Sequence, residues 1–408
     1  MNKEIIDVLI IGAGPSGCVS ASYLSNNNVQ VKIIEKTTFP RYVIGESLLP
    51  RCMDHFEEVG LLDCLKKSNF EVKRGARFIR GSEICNFDFS QKHTDGWDWT
   101  WQVPRDEFDH VLAKETIKKG VDISFETTVE NVVIKDGYSE VTVKDTHGVV
   151  SVIKAKFIID SSGYGRVLPR ILGLEKESDL PNHSSIFTQV KDIHRPAGKE
   201  GTLITFDVLE TQVWLWVIPF SNGNTSIGFV GPTAFINSFK GNSSEIIAQL
   251  LELSDYYKDR FRGVKHLFTP ILIENFSKSV KQLYGKGYAL TGNSSEFLDP
   301  VFSSGVTFAT ESGLLAAKLA LREINGQEVD WEIEYTKYIS KGVAVFKSYV
   351  TEWYSGNLQE LFFFQPENKE FKRKICAVLA GYVWDETNPF VTKHKRIISN
   401  IAHLIKTD

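Results

Sequence analysis

The first apolar pattern in the chain is short and unbroken. Ile5-Ile6-Asp7-Val8-Leu9-Ile10-Ile11 is rich in β-branched residues and does not alternate, which predicts a strand covered on both faces. Gly12-Ala13-Gly14-Pro15-Ser16-Gly17 follows at once. The spacing then becomes helical, with apolar residues at Val19, Tyr23 and Leu24. A second apolar strand is predicted over residues 29–36, ending in Glu35 and Lys36. Further along, Trp214-Leu215-Trp216-Val217-Ile218-Pro219 lies in an alternating run, the pattern of a strand in a second, antiparallel sheet. The same period of two would put Trp97, Trp99 and Trp101 on one side of a strand, lining a pocket or packing on a sheet. From about residue 326 the pattern is helical and dense in aromatics, fitting a cap over a cavity, a packed bundle or a dimer surface.

The opening strand, turn, helix and strand carry specific chemistry. Gly12 permits the tight turn, Gly14 lets backbone approach a pyrophosphate, and Gly17 allows close helix–strand packing. A diphosphate then meets the positive helix end, and an acid about twenty residues on, here Glu35, can accept hydrogen bonds from a ribose. The unit predicts a Rossmann-type dinucleotide site without choosing between NAD and FAD.

Composition narrows the class. The 408 residues include 42% hydrophobic and 24% charged side chains, enough apolar material for a sizeable core, which excludes a disordered or fibrous chain. A net charge of -4 gives no basic footprint for nucleic acid. No apolar run reaches the roughly eighteen residues of a spanning helix, so no membrane span is expected. The opening apolar run is too short for a secretory signal. Five cysteines without a Cys-x-x-Cys pair suggest reduced thiols and a cytoplasmic location. The histidines show no metal spacing, so no metal site is expected.

Three later segments resemble flavoproteins. Residues 101–132 resemble the flavoprotein strand, Arg-x-x-Phe-Asp helix start and second strand, which implies Arg105 near a flavin and Val129 at the adenine side. Residues 155–170 resemble the apolar strand ending in Asp-x-x-Gly, here Asp160 and Gly163. Residues 288–321 resemble the strand that meets the ribityl chain, followed by Asp-Pro and a helix opening beneath the isoalloxazine. This implies contacts from Gly292, Asn293, Pro300, Gly305 and Val306. Asn293 stands where the family usually has Asp; its carbonyl oxygen can still accept from a ribityl hydroxyl. The cofactor implied is FAD. The fold implied is α/β, or α+β overall: a glutathione-reductase-like FAD domain from residues 1–48, 102–178 and 283–325, an antiparallel-sheet substrate domain from 49–101 and 179–282, and a helical region over 326–408.

Within that frame the chain resembles the flavin-dependent halogenases, closest to those acting on phenolic or pyrrolic substrates. Gly45-Glu46-Ser47-Leu48-Leu49-Pro50, the Trp-x-Trp-x-Ile-Pro run and Lys73 before a strand carry the resemblance. It implies that reduced FAD, dioxygen and chloride or bromide yield hypohalous acid, with halide held near Ser304 and Gly305. Lys73 would steer the oxidant, as an amine forming a haloamine or as an ammonium donating a proton. Trp214, Trp216 and Pro219 would separate substrate from flavin, while Gly45, Glu46 and Ser47 would join the cofactor site. The implied partners are a small aromatic substrate, free or on an acyl carrier protein, and a separate NAD(P)H-flavin reductase. The extra segment and catalytic Glu of the longer tryptophan halogenases have no counterpart. Alternatives on the same fold are a monooxygenase or dehydrogenase, a prenyl reductase, and a non-enzymatic flavin-binding protein.

Overall fold

A computed structural model describes residues 5–407; the expectations that include residues 1–4 and 408 lie partly outside the described residues. The opening run forms strand Ile5–Ile11, and the glycine turn leads into helix Pro15–Asn26. An eight-stranded sheet grows around that strand. It pairs in parallel with Val31–Ile34 on one side and Val150–Asp160 on the other, extended by Asp122–Ser124 and Tyr288–Leu290. Val8 and Ile10 join one buried cluster and Leu9 and Ile11 another, which is why the run does not alternate in hydropathy. Helices Pro15–Asn26 and Gly305–Ile324 pack on the same side. A Cβ at Gly313 would sit 2.6 Å from Ser16 Oγ, so the two helices meet at a glycine gap.

The second sheet has seven strands, in the order Ile271–Ile273, His183–Lys191, Asn224–Pro232, Val213–Pro219, Thr205–Glu210, Gly75–Arg80 and Glu83–Asp88. All neighbours are antiparallel except Thr205–Glu210 and Gly75–Arg80, which run parallel. The chain visits the first sheet between those two strands, and such a crossover lets it re-enter in the same direction. The sheet is therefore mixed, which corrects the antiparallel expectation at one pair. Val213–Pro219 is buried throughout: Trp214 and Trp216 face an aromatic core, Leu215 and Val217 the cluster that includes helix Ser243–Leu251.

Two other expectations change. Residues 51–66, expected to be sheet-rich, form helices Arg51–Glu58 and Leu62–Lys66. The apolar side chains Cys52, Met53, Phe56 and Leu62 explain this, since they pack with Phe108, Leu112 and Leu314 of the flavin-side helices. Of the three alternating tryptophans only Trp101 lies in a strand, Thr100–Gln102. Trp97, Trp99 and Trp101 instead form an edge-to-face series with centroids 5.6 and 5.1 Å apart, packed against that same helical cluster.

Beyond residue 330 the chain is helical, with long segments Tyr338–Tyr354, Lys369–Leu379 and His394–Thr407. Trp353 and Phe362 pack against Phe78 of the second sheet, at 5.4 and 4.9 Å between centroids. The helical region thus backs the face that carries Trp214 and Trp216. Among the described residues no helix is long and apolar enough to cross a membrane.

Candidate active site

One cavity of about 540 Å3 joins the glycine turn to the tryptophan face. Its wall includes Gly12, Gly14, Pro15, Ser16, Glu35, Lys36, Gly45, Glu46, Ser47, Arg105, Val129 and Gly163, with Gly292, Asn293, Pro300, Gly305 and Val306 at the far loop. Trp214 and Trp216 line the same space. These residues come from every flavoprotein-like segment of the sequence, brought together where the parallel strands end.

The turn is shaped to bring bare backbone to a ligand. Gly12 has φ +99°, and a Cβ there would sit 2.6 Å from Ser161 O. Gly14 faces the cavity, where a Cβ would meet nothing closer than the Arg41 guanidinium at 3.7 Å. Gly17 is outside the wall: a Cβ would lie 2.0 Å from Gly12 O, so its role is to let helix and turn touch. Ala13 is likewise behind the wall, its N–H donating to Glu35 Oε2 at 2.9 Å. Thr37 N–H and Oγ donate to the other Glu35 oxygen at 3.0 and 2.8 Å, which holds that carboxylate at the rim.

Asp160 is not among the residues that line the cavity. Its carboxylate accepts from Ser162 N at 2.9 Å and Leu168 N at 2.7 Å and fixes the loop that presents Gly163. Ser304 and Pro219 are also outside the wall. Gly305 takes the cavity position instead, at a helix start whose first N–H groups have no helical acceptor. The Pro219 carbonyl accepts from Gln102 Nε2 at 2.5 Å. Arg105 is buried in a double hydrogen bond to Asp109 and donates to the Ile44 and Gly45 carbonyls at 2.9 and 3.3 Å. That clamp holds Gly45 at φ +109°.

Lys73 is only 3% exposed. Its Nζ donates to Ser47 Oγ and Leu48 O, both at 2.8 Å, and lies 5.6 Å from the centre of the Phe89 ring. Burial pulls its pKa down to about 7, and among the described residues no carboxylate beside it offsets the loss of water. Lys73 is not part of the wall; it stands one hydrogen bond behind Ser47, which is. Glu46 is 1% exposed, and burial pushes its carboxyl up to about 7 although Gln189 Nε2 donates to it at 2.6 Å.

Several members of the site escaped the sequence reading. Arg41 and Arg170 add positive charge to the wall, and Thr291 and Ser161 join Ser16 in a cluster of hydroxyls. Gly228 lies opposite Trp216 in the strand register, and a Cβ there would come within 2.2 Å of the indole. The register could not be read from the sequence, so that glycine carried no signal. Among the described residues no cluster of three or more His, Cys, Asp or Glu could hold a metal ion.

The cavity suits FAD on the structure's own terms: a cradle that Cβ atoms would fill, arginines along it, and a helix start at its far end. A family model of the FAD binding domain matches residues 5–228. The chain is 27% identical over 395 residues to the 1H-pyrrole-2-carbonyl-(peptidyl-carrier protein) brominase of Pseudoalteromonas luteoviolacea, covering 93% of this chain and 92% of that one. It is 26% identical to the corresponding chlorinase of Pseudomonas fluorescens, covering 94% and 91%. Among solved structures, a flavoprotein/dehydrogenase from Cytophaga hutchinsonii superposes with a TM-score of 0.97 at 48% identity over 99% of both chains. A flavin-dependent brominase shares the fold with a TM-score of 0.87 at 24% identity, covering 99% of this chain and all of that one (100%). With its motifs and its cavity in agreement with that family model, the chain belongs to the family of the FAD binding domain and is an FAD-dependent oxidoreductase, similar along most of its length to flavin-dependent halogenases.

Proposed function

We propose that the protein is a FADH2-dependent halogenase acting on an electron-rich aromatic ring, phenol- or pyrrole-like, free or carried on an acyl carrier protein. The observation that carries this reading is Lys73: a buried amine, with no carboxylate partner among the described residues, joined by one hydrogen bond to the cavity-lining Ser47. The carrier-protein part is supported by the named substrates of the two curated relatives. The chemistry that the bound, reduced flavin supplies is the reduction of dioxygen that turns halide into hypohalous acid.

The chain's residues account for the rest. The helix opening at Gly305 offers N–H groups and partial positive charge to a halide. Trp214 and Trp216 form an apolar wall between the flavin cavity and the aromatic core. Above about pH 7 Lys73 is a neutral amine able to take up halogen; below it, an ammonium able to polarise the oxidant. A separate flavin reductase would supply reduced FAD.

The test combines the protein with FAD, NADH, an independent flavin reductase, air and bromide or chloride. Halogenation of monochlorodimedone and a phenol panel is read by mass spectrometry, with catalase and halide-free controls. Product that requires halide and disappears in Lys73→Ala is expected. A second reading, a dehydrogenase on the same fold, is favoured by the 48% identical flavoprotein/dehydrogenase structure. Flavin-dependent oxidation of substrate that ignores halide and survives Lys73→Ala would select it.

A further inference from the structure

The two tryptophans of the cavity wall are held by different partners. Trp216 donates its indole N–H to Ser226 Oγ at 3.0 Å, within the same sheet. Trp214 reaches much further along the chain: its Nε1 donates to Tyr354 Oη at 3.1 Å, at the end of helix Tyr338–Tyr354. The indole N–H can only donate, so the Tyr354 hydroxyl accepts there and has its own proton free for another acceptor. That acceptor is Asp299 Oδ2 at 2.6 Å. The other Asp299 oxygen takes the Val301 N–H at 3.0 Å, and the loop it caps contributes Pro300, Ser303 and Gly305 to the cavity.

One hydroxyl therefore ties two walls of the flavin cavity together from outside it. Tyr354 lines no part of the cavity. It is buried, and the His183 ring stacks on it at 4.1 Å, which fixes its plane. Asp299 is 2% exposed, and among the described residues it accepts two hydrogen bonds, of which that from Tyr354 is the one made by a side chain.

We propose that Tyr354 is a positioning residue, which sets the Trp214 ring and the loop over 299–305 in a joint arrangement for the bound flavin. Through it helix Tyr338–Tyr354 governs the geometry of the cavity without lining it. The inference rests on the FAD site and not on halogenation, so a failed halogenation assay leaves it standing.

The experiment is a double-mutant cycle read by flavin, not by turnover. Wild type, Tyr354→Phe, Trp214→Phe and the double variant are titrated with FAD, recording Kd and the residual fluorescence of bound flavin. Losing a hydroxyl that serves two buried partners is expected to weaken FAD binding about fivefold and to alter the bound fluorescence. In the Trp214→Phe background the same change should weaken binding by only about twofold, because its bond to Asp299 is the one part of the connection left to lose. Asp299→Asn serves as a second variant and should shift the bound fluorescence in the same direction as Tyr354→Phe. A full fivefold loss in both backgrounds would show a general structural role and overturn the proposal. So would unchanged Kd and fluorescence in Tyr354→Phe.

Discussion

Replacing Lys73 by methionine removes a charge that burial penalises while nearly keeping the volume. The folded-state pKa is about 7 against the ordinary 10.5. The unfolded chain therefore binds more protons between those values, and the penalty falls as pH rises from 7 to 10.5. It amounts to about 4 kcal/mol at pH 7 and less than about 1 kcal/mol at pH 10. Against that, methionine loses the hydrogen bonds to Ser47 and Leu48, together about 2 kcal/mol. Lys73→Met should thus be more stable than wild type by about 2 kcal/mol at pH 7 and less stable by about 1 kcal/mol at pH 10. Urea unfolding at pH 7, 8, 9 and 10, at one fixed FAD concentration, measures the crossing. A stability difference that stays flat with pH would refute the reasoning, since the folded lysine would then titrate normally. A variant that gains stability at neutral pH while losing halogenation would mark Lys73 as retained for chemistry and not for folding.

Three other outcomes follow from the site. Gly228→Ala puts a methyl where the Trp216 indole lies, and should destabilise the fold by about 1–3 kcal/mol and perturb bound-flavin fluorescence, read by unfolding and titration. Gly17→Ala forces the helix away from Gly12 O and should weaken FAD binding at least about tenfold, measured by fluorescence titration, because the turn can no longer meet the diphosphate. Glu46 has its folded pKa raised to about 7 from 4.5, so its contribution is present at low pH and lost as pH rises through 7. Glu46→Gln should therefore remove about 3 kcal/mol of the wild-type loss of stability between pH 4.5 and 8, seen as a flatter unfolding profile.

What the sequence determined by itself is what local chemistry dictates. An unbroken apolar run, a turn that only glycines permit and an acid at a fixed distance are consequences of backbone sterics and hydrogen bonding within about thirty residues. They are legible in the stretch from Ile5 to Glu35 before any fold is known. The motifs around Gly45, Lys73 and Trp214 were legible in the same way, though only through resemblance. Tertiary structure decided which side chains lose water and which meet. Lys73 reads as one solvated lysine among many until the strand pairing with Thr100–Gln102 buries it behind Ser47. Trp97 and Trp99 alternate as in a strand, yet ring packing against helices holds them outside one. Asp160 ends the expected strand, and its carboxylate accepts from two backbone N–H groups of the following loop. The Trp214–Tyr354–Asp299 connection joins residues far apart in the chain, and no local pattern encodes it. Desolvation and long-range hydrogen bonding depend on the whole packed chain, so those features exist only once the two sheets and the C-terminal helices have closed around one cavity.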